Sequence, residues 1–238
     1  MFRYFPDFIL PGVFIAAISY LLGSISFSII ITRLFNHDLD VRTVGSGNAG
    51  ATNVYRAVGI LPSALTFFFD FAKCALSVEL GKYIFQYVCN QNSAPIWIMR
   101  YGGYIAGLAC LLGHIYPLYF KFKGGKGVVT CAAMMVLIDW RVFLINFAIF
   151  LIVFLASKII SLSSIVGVGL YPITTFLLTY FLDYRAKGAI SLSGVMIGTV
   201  ITFMIGAVII AKHKPNIIRL INGTEKKITD KKEKNNKN

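Results

Sequence analysis

The sequence is poor in charge. Of its 238 residues only 14% are Asp, Glu, Lys or Arg, whereas 57% are hydrophobic. A soluble chain of this length needs a more polar exterior, so this composition excludes an ordinary water-soluble domain and predicts a membrane protein. Regular alternation of polar and apolar residues is also missing, which excludes a membrane β-barrel. Because backbone polar groups in lipid must be satisfied within each segment, we expect an all-α integral membrane protein.

The patterns of metal and redox sites are absent as well. The four cysteines are Cys74, Cys89, Cys110 and Cys131, which are widely separated and form no CxxC pair. No histidine stands in ligand register with them. We therefore interpret the cysteines as core residues and expect neither a metal nor a cofactor.

Seven apolar stretches, each free of Asp, Glu, Lys and Arg, organise the chain. Several reach the roughly 20 residues that a spanning helix requires. The second continues helically through Asp70 and Lys73. Six are clear spans and the one at 127–138 is short, so we predict seven transmembrane helices. The stretches are 8–32, 57–69, 101–120, 127–138, 142–157, 159–182 and 188–211.

The basic C-terminus orients this bundle. Nine of the 23 Lys and Arg follow residue 211, and a cytoplasmic tail explains them more simply than nucleic acid, which we exclude as a partner. Seven spans then place the N-terminus outside. The short loops hold seven Lys and Arg on the cytoplasmic side and six on the other, which leaves a six-span topology open. We divide the chain into one transmembrane domain (1–211), a juxtamembrane motif segment (212–225) and a disordered basic tail (226–238).

The first of three polar islands between apolar stretches is VRTVGSGNAGATNVYR, at 41–56. Its glycines allow positive φ, so successive N–H groups can converge on an anion. It also satisfies GxGxxG, but a dinucleotide site needs a preceding strand, and an apolar helix precedes the island here. We predict a phosphate site rather than a flexible turn. The candidate residues are Gly45, Ser46, Gly47, Asn48, Thr52, Asn53 and Arg56.

The second island, GHIYPLYFKFKGGKGVVT at 113–130, surrounds one lysine with glycines. A lysine on such a loop can hold a phosphate as a point charge while neighbouring N–H groups donate to it. The Walker A pattern is not met, because its first glycine is missing and Gly127 replaces its Ser or Thr, so nucleotide binding is unsupported. The two earlier lysines also fit a basic loop that touches anionic lipid. The candidate residues are Gly124, Gly125, Lys126 and Gly127.

The third island, HKPNIIRLINGTE at 213–225, follows the last apolar stretch. Pro215 should end or redirect that helix and expose polar groups at the membrane surface. His213 and Asn216 can then face the other two islands. Taken alone, the segment reads as a juxtamembrane anchor.

Three smaller polar features lie within or beside the apolar stretches. His114 fits a hydrogen-bonded core residue and a functional residue equally well. Asp70 and Lys73 are three apart and share a helix face, so we interpret them as a structural ion pair. Ser161 begins a serine cluster that is weak evidence by itself.

These motifs, in this order, resemble the PlsY family of acyl-phosphate-dependent glycerol-3-phosphate acyltransferases over roughly residues 15–225. Each motif is weak alone, but together they are highly specific. Three departures are Lys214 where the family usually has Arg, Ala49 where Pro is frequent, and Cys74 where Gly normally follows FDxxK. The matching segments are LLGSISF at 21–27, VGSGNAGATNVYR at 44–56, FDFAK at 69–73, LLGHIYPLYFKFKGGKGVVT at 111–130, SLSS at 161–164 and HKPNIIRLINGTE at 213–225.

The resemblance implies an enzyme of the bacterial inner membrane with seven helices and an active site that faces the cytoplasm. It would transfer a fatty acyl group from acyl phosphate to the 1-hydroxyl of sn-glycerol 3-phosphate, giving lysophosphatidic acid and phosphate, the first acylation step of phospholipid synthesis. Membrane lipids surround such an enzyme, and other enzymes of lipid synthesis stay open as partners.

The resemblance also implies roles for the site residues. Ser46 and Arg56 match essential positions of the family's first motif, and the loop at 124–127 matches its glycerol-3-phosphate site. His213 and Asn216 match the third motif, while Glu225 matches a position tied more to integrity than to chemistry. We expect direct attack of the glycerol hydroxyl on the acyl carbon. The proton acceptor stays open between His213, His114 and a phosphate oxygen of the substrate.

Two other functions fit parts of this pattern. A transporter of a phosphorylated metabolite would also need phosphate loops, but it would need polar groups deep in the membrane, and the polar residues gather on one side. Transfer from acyl-CoA or acyl carrier protein is typical of an HxxxxD pattern, and neither His37 nor His114 has Asp five residues later.

Overall fold

The fold is helical throughout the residues that the structure, a computed structural model, describes. These are residues 5–228; residues 1–4 lie outside them, and so does nearly all of the predicted disordered tail. Within 5–228 there are ten α-helices and no strand, which confirms the all-α expectation. The helices are α1 (Phe5–Gly23), α2 (Phe27–Phe35), α3 (Ala51–Val58), α4 (Ile60–Asn92), α5 (Met99–Ile115), α6 (Val128–Ile138), α7 (Trp140–Ser157), α8 (Ile160–Leu178), α9 (Leu192–Lys212) and α10 (Lys214–Ile221).

Six helical segments of the described chain are long and apolar enough to cross a membrane. The first combines α1 and α2, and the remaining five contain α4, α5, α7, α8 and α9. Helix α6 is apolar but has only 11 residues, and such a helix rises about 16 Å, roughly half of a bilayer's hydrocarbon core. The six clear spans of the sequence are therefore present. Their bounds are Pro6–Phe35, Ile60–Asn92, Ile96–Phe120, Trp140–Ser157, Ile160–Ala186 and Leu192–Lys212.

Small residues let the central helices approach closely. A Cβ built on Gly81 of α4 would collide with the carbonyl of Gly102 on α5, and a Cβ on Gly102 would collide with that of Gly81. Gly113 lies in the same way against the backbone of α1. Close backbone approach at small residues is typical of helix packing in membranes, where the hydrophobic effect does not drive helices together. It brings α1, α4 and α5 into one unit beneath the polar islands.

The buried core confirms the interpretation of the cysteines. All four are buried and free of disulfides. All four belong to the core cluster that also contains the large, fully buried side chains of Leu111, Met134 and Tyr171.

An ion cluster joins the helix ends that lie away from the polar islands. Arg141 bonds Asp139 at 2.6 Å and Asp183 at 2.8 Å, and Arg100 lies 3.4 Å from Asp183. We call these four residues the Arg141 cluster. It connects the start of α5, the junction of α6 with α7, and the π-helical turn Thr179–Ala186 that ends α8.

The last spanning helix ends near Pro215, as the sequence predicts. Helix α9 ends at Lys212, and α10 begins at Lys214 with Pro215 in its first turn. Proline suits that position because its missing N–H would have no helical partner there. The break separates α10 from the span and lets it pack against α8 and α9.

Candidate functional site

The three polar islands meet around one cavity of ≈ 400 Å³. The first island supplies the loop before α3, the second supplies the start of α6, and the third supplies α10 with the segment after it. Twelve of the fifteen candidate residues line this cavity, although they come from four separate parts of the chain. They are Gly45, Ser46, Asn48, Thr52, Asn53, Arg56, His114, Lys126, Gly127, Ser161, His213 and Asn216.

The N-terminal turns of four helices line the cavity. Residues of the first turn line it in each case: Thr52 in α3, Val128 in α6, Ser161 in α8 and Asn216 in α10. The N-terminus of a helix carries a partial positive charge and unpaired N–H groups, so it favours an anion nearby. Convergence of four such ends makes this cavity suited to phosphate.

Two cations of the cavity lack a carboxylate partner in the part of the chain that the structure describes. Within residues 5–228, neither Lys126 nor Arg56 forms an ion pair. Lys126 Nζ donates to Asn216 Oδ1 at 2.5 Å. Burial lowers the pKa of Lys126 to about 8, and Glu225 opposes that shift. An anion in the cavity would replace the solvation that the buried ammonium has lost.

Glu225 holds the polar wall together. Its carboxylate accepts hydrogen bonds from Ser161 Oγ, Asn216 Nδ2 and Arg219 Nε, each at 2.6 Å. Burial raises the pKa of Glu225, but these donors outweigh it and hold that pKa below its usual value. Since the Asn216 amide donates to Glu225, its oxygen is turned toward Lys126. Glu225 thus orients the site, which agrees with the structural role that the resemblance implies.

His213 is a neutral histidine with a defined tautomer. Its Nδ1 lies 2.8 Å from the carbonyl oxygen of Ile209, and a carbonyl only accepts, so Nδ1 carries the proton. Burial lowers the pKa of His213 to about 4. At neutral pH the ring therefore keeps a lone pair on Nε2, and His213 is a hydrogen-bond acceptor in the cavity wall.

Asn53 builds the first loop through its hydrogen bonds. Its Nδ2 donates to the carbonyls of Val41 and Val44, at 2.7 and 3.0 Å, and its Oδ1 accepts from the N–H of Ser46. The Asn53 side-chain amide is buried, and both its nitrogen and its oxygen form hydrogen bonds. Gly47 does not line the cavity, since its N–H turns back to Val44. The loop therefore owes its shape to Asn53.

Two glycines of the second island pack against α5 and do not reach the cavity. The N–H of Gly124 donates to the carbonyl of Ile115, and that of Gly125 donates to the carbonyl of His114. A Cβ on Gly125 would collide with the His114 ring and the Ala49 carbonyl. The sequence predicts that these two N–H groups contact the substrate. In the structure they donate to backbone carbonyls of α5, so the two glycines pack the loop against that helix.

Several cavity residues were not predicted from the sequence. Arg219 follows Asn216 by three positions, and this helical spacing could have shown that both share a face of α10. Asp70 and Lys73 form the predicted ion pair at 2.7 Å, but Asp70 also lines the cavity. No local pattern indicates that placement.

Apolar side chains complete the wall. Phe67 comes from α4 and Phe150 from α7, where it stacks between Phe147 and Phe154. Phe67 is half exposed, so this wall continues into the surface that faces lipid. The cavity can therefore take a ligand with an anionic head and an apolar chain.

Comparison with known proteins agrees with this geometry. The family model for "Glycerol-3-phosphate acyltransferase" matches residues 13–223. A glycerol-3-phosphate acyltransferase of Macrococcus caseolyticus is 37% identical over 215 residues, which are 90% of this chain and 96% of that protein. The crystal structure of PlsY (YgiH), an integral membrane glycerol 3-phosphate acyltransferase, covers 91% of this chain and 94% of its own. Its glycerol 3-phosphate form has a TM-score of 0.70 at 35% identity, and its lysophosphatidic acid form has 0.68 at 34%. This chain is thus a multi-pass membrane protein that belongs to the glycerol-3-phosphate acyltransferase family.

Proposed function

We propose that this protein transfers a fatty acyl group from acyl phosphate to the 1-hydroxyl of sn-glycerol 3-phosphate, and so makes lysophosphatidic acid for phospholipid synthesis. One observation carries the proposal: a single cavity joins an apolar wall to two cations, Lys126 and Arg56, that have no carboxylate partner in the described residues 5–228. Each substrate brings a phosphate, and the donor also brings a long chain. The forms in which PlsY was solved, with glycerol 3-phosphate and lysophosphatidic acid, support this acceptor and product.

The protein's main task is to hold two phosphates close together. Lys126, Arg56 and the four helix N-termini offset the repulsion between them. Ser46 and Asn216 orient the donor or the acceptor, and Glu225 keeps the Asn216 amide in place. Fixing two reactants in one cavity converts a bimolecular reaction into an effectively unimolecular one.

Acyl phosphate is a mixed anhydride, so it needs no covalent enzyme intermediate. The 1-hydroxyl oxygen attacks the acyl carbon, the bond from that carbon to the phosphate oxygen breaks, and phosphate leaves with the electron pair. The hydroxyl proton passes to an acceptor. His213 offers Nε2 for this, but a phosphate oxygen of the substrate stays the preferred acceptor, because the low pKa of His213 makes it a weak base.

We propose seven crossings, with α6 as the fourth, after the α1–α2 unit, α4 and α5. Gly127, at the start of α6, lines the cavity, whereas Asp139, at its end, belongs to the Arg141 cluster. Helix α6 thus joins the two ends although it is short. Seven crossings support an external N-terminus, and the basic tail supports a cytoplasmic cavity at the bacterial inner membrane.

The donor is tested with purified protein in detergent. Given palmitoyl phosphate and glycerol 3-phosphate, it should release lysophosphatidate and inorganic phosphate in equal amounts. Palmitoyl-CoA in place of palmitoyl phosphate should give no product. Lysophosphatidate formed from palmitoyl-CoA and glycerol 3-phosphate would contradict the proposed reaction, and so would an acyl group trapped on Ser46.

A further inference from the structure

A buried ion pair of α4 contacts a histidine of the cavity. Lys73 Nζ lies 2.7 Å from Asp70 Oδ1, 2.8 Å from the carbonyl oxygen of Ile25 and 3.2 Å from His114 Nδ1. Lys73, Asp70 and His114 are each at most 6% exposed. The sequence predicts the ion pair between Asp70 and Lys73, but it does not predict the contact between Lys73 and His114.

The contacts of Lys73 determine where the His114 proton lies. An ammonium has three N–H donors and no acceptor, and here it faces three groups that can accept. His114 Nδ1 must then accept from Lys73 and carry no proton. The alternative partner for Nδ1, Asp70, lies 3.6 Å away, beyond ordinary hydrogen-bond distance. A neutral ring with a bare Nδ1 has its proton on Nε2.

We infer that Lys73 holds His114 as the Nε2–H tautomer, so that His114 donates a hydrogen bond to a phosphate oxygen of the substrate and does not act as the proton acceptor. The tautomer rests on the contacts of Lys73 alone, whereas the ligand rests on the proposed function. Asp70 and Lys73 are positioning residues that act through the ring.

Glycine at position 125 keeps the donor edge of the ring open. A Cβ there would collide with His114 Nε2. His114 also lines the cavity, as do Lys126 and the first residues of α6. The two cavity histidines thus have opposite roles: His213 presents a lone pair, and His114 presents an N–H.

The tautomer is measured by nitrogen NMR on the full chain in detergent, labelled with ¹⁵N-histidine. The protein has three histidines, and His37→Gln, His114→Gln and His213→Gln assign their signals. His114 should show a protonated Nε2 and a bare Nδ1, whereas His213 should show the reverse. Inorganic phosphate, and separately glycerol 3-phosphate, should shift the His114 Nε2–H signal. A proton on Nδ1 of His114 would overturn the inference.

Substitutions on α4 test whether Lys73 fixes the tautomer of His114. Lys73→Met should let the His114 proton redistribute to Nδ1, toward Asp70. The double variant D70N/K73M removes the uncompensated carboxylate and should also lose the fixed Nε2–H form. Lys82→Met is the matched control, because Lys82 forms an i,i+3 pair with Glu79 on the same helix, also at 2.7 Å, but at the surface. An unchanged His114 spectrum in folded K73M or D70N/K73M would refute the role of Lys73.

Turnover separates a donor from a base. Glutamine at position 114 keeps an N–H donor but cannot take up a proton, so His114→Gln should stay within about tenfold of the wild-type kcat, while His114→Leu should lose about 100-fold. Equal and complete loss in both variants, with folding and tautomers elsewhere intact, would show base catalysis and sink the inference. If the wild type makes no lysophosphatidate, the proposed function fails, and the phosphate titration of the spectrum still decides the donor role.

Discussion

The two ends of the helical bundle use similar charged residues in opposite ways. At one end Arg141 is bonded to Asp139 and Asp183, so its charge is neutralised within the protein. At the other end Lys126 and Arg56 have no carboxylate partner in residues 5–228. A closed cluster joins helices, whereas an open one retains the capacity to bind an anion. We therefore expect substitutions at the first end to change stability and those at the second to change turnover.

The largest effect should come from Lys126→Met. The change removes a buried cation that a phosphate would contact, and losing one such stabilising group typically costs about 10²–10³ in rate. Lysophosphatidate release from palmitoyl phosphate measures it. Lys121→Met is the matched control, because Lys121 belongs to the same island but does not line the cavity. Equal losses in the two variants would mean that the island acts only through its net charge.

Glu225→Gln should lower turnover by about 10-fold to 100-fold, since the amide cannot serve three donors as the carboxylate does and the Asn216 side chain loses its fixed orientation. Glu225 should also make stability depend on pH. The pKa of Glu225 is held low in the folded protein, so its contribution is present above the unfolded pKa and is lost as pH falls through the folded pKa. Thermal unfolding of both proteins between pH 7 and pH 3 tests this, and parallel curves would contradict it.

The pH profile of kcat/KM should have two limbs. As pH falls through about 4, His213 gains a proton and its Nε2 can no longer accept. As pH rises through about 8, free Lys126 loses its charge, and activity falls about tenfold per unit. A bound phosphate stabilises the charged form of Lys126, so the fall at high pH should come at a higher pH in the kcat profile than in the kcat/KM profile. Lys126→Arg should abolish this fall at high pH. An upper limb that persists in this variant would belong to another group.

The smallest effect on turnover should come from Asp183→Asn. This change breaks both arginine contacts of the Arg141 cluster and should lower the free energy of unfolding by about 1–3 kcal/mol, because those donors lose a charged acceptor. Below the melting temperature kcat should stay within about twofold. A large fall in kcat without a change in melting temperature would show that the two ends are coupled.

Local patterns were enough for much of this protein. The charge-free stretches at 8–32 and 188–211 predict spans because length and hydropathy are properties of the segment itself. Asp70 and Lys73 were predicted as a pair for the same reason, since a spacing of three residues places two side chains on one helix face. Pro215 likewise marks the end of α9 because its effect is confined to its own turn.

Local patterns did not predict contacts between residues that lie far apart in the sequence. Gly124 and Gly125 look like anion-binding glycines, but their N–H groups are taken by α5, a partner that their own segment does not reveal. Asn53, predicted as a substrate-binding residue, lines the cavity, but its amide also holds its own loop through carbonyls that the local pattern does not indicate. Arg219 was missed although its spacing from Asn216 was visible, because nothing in the segment showed that Glu225 would fold back onto it.

The amino-acid sequence by itself determined that this protein is helical and apolar and that it has three polar islands, two of which have the glycines and cations expected of a phosphate site, because composition and periodicity act within single segments. Only the tertiary structure decided that those islands share one cavity, that Lys126 meets no carboxylate partner among the described residues, and that His114 and His213 differ in tautomer. The physical reason is that the deciding contacts join residues far apart in the chain, 90 residues in the case of Lys126 and Asn216 and 41 in the case of Lys73 and His114. A hydrogen bond depends on distance in space, which the order of residues does not state.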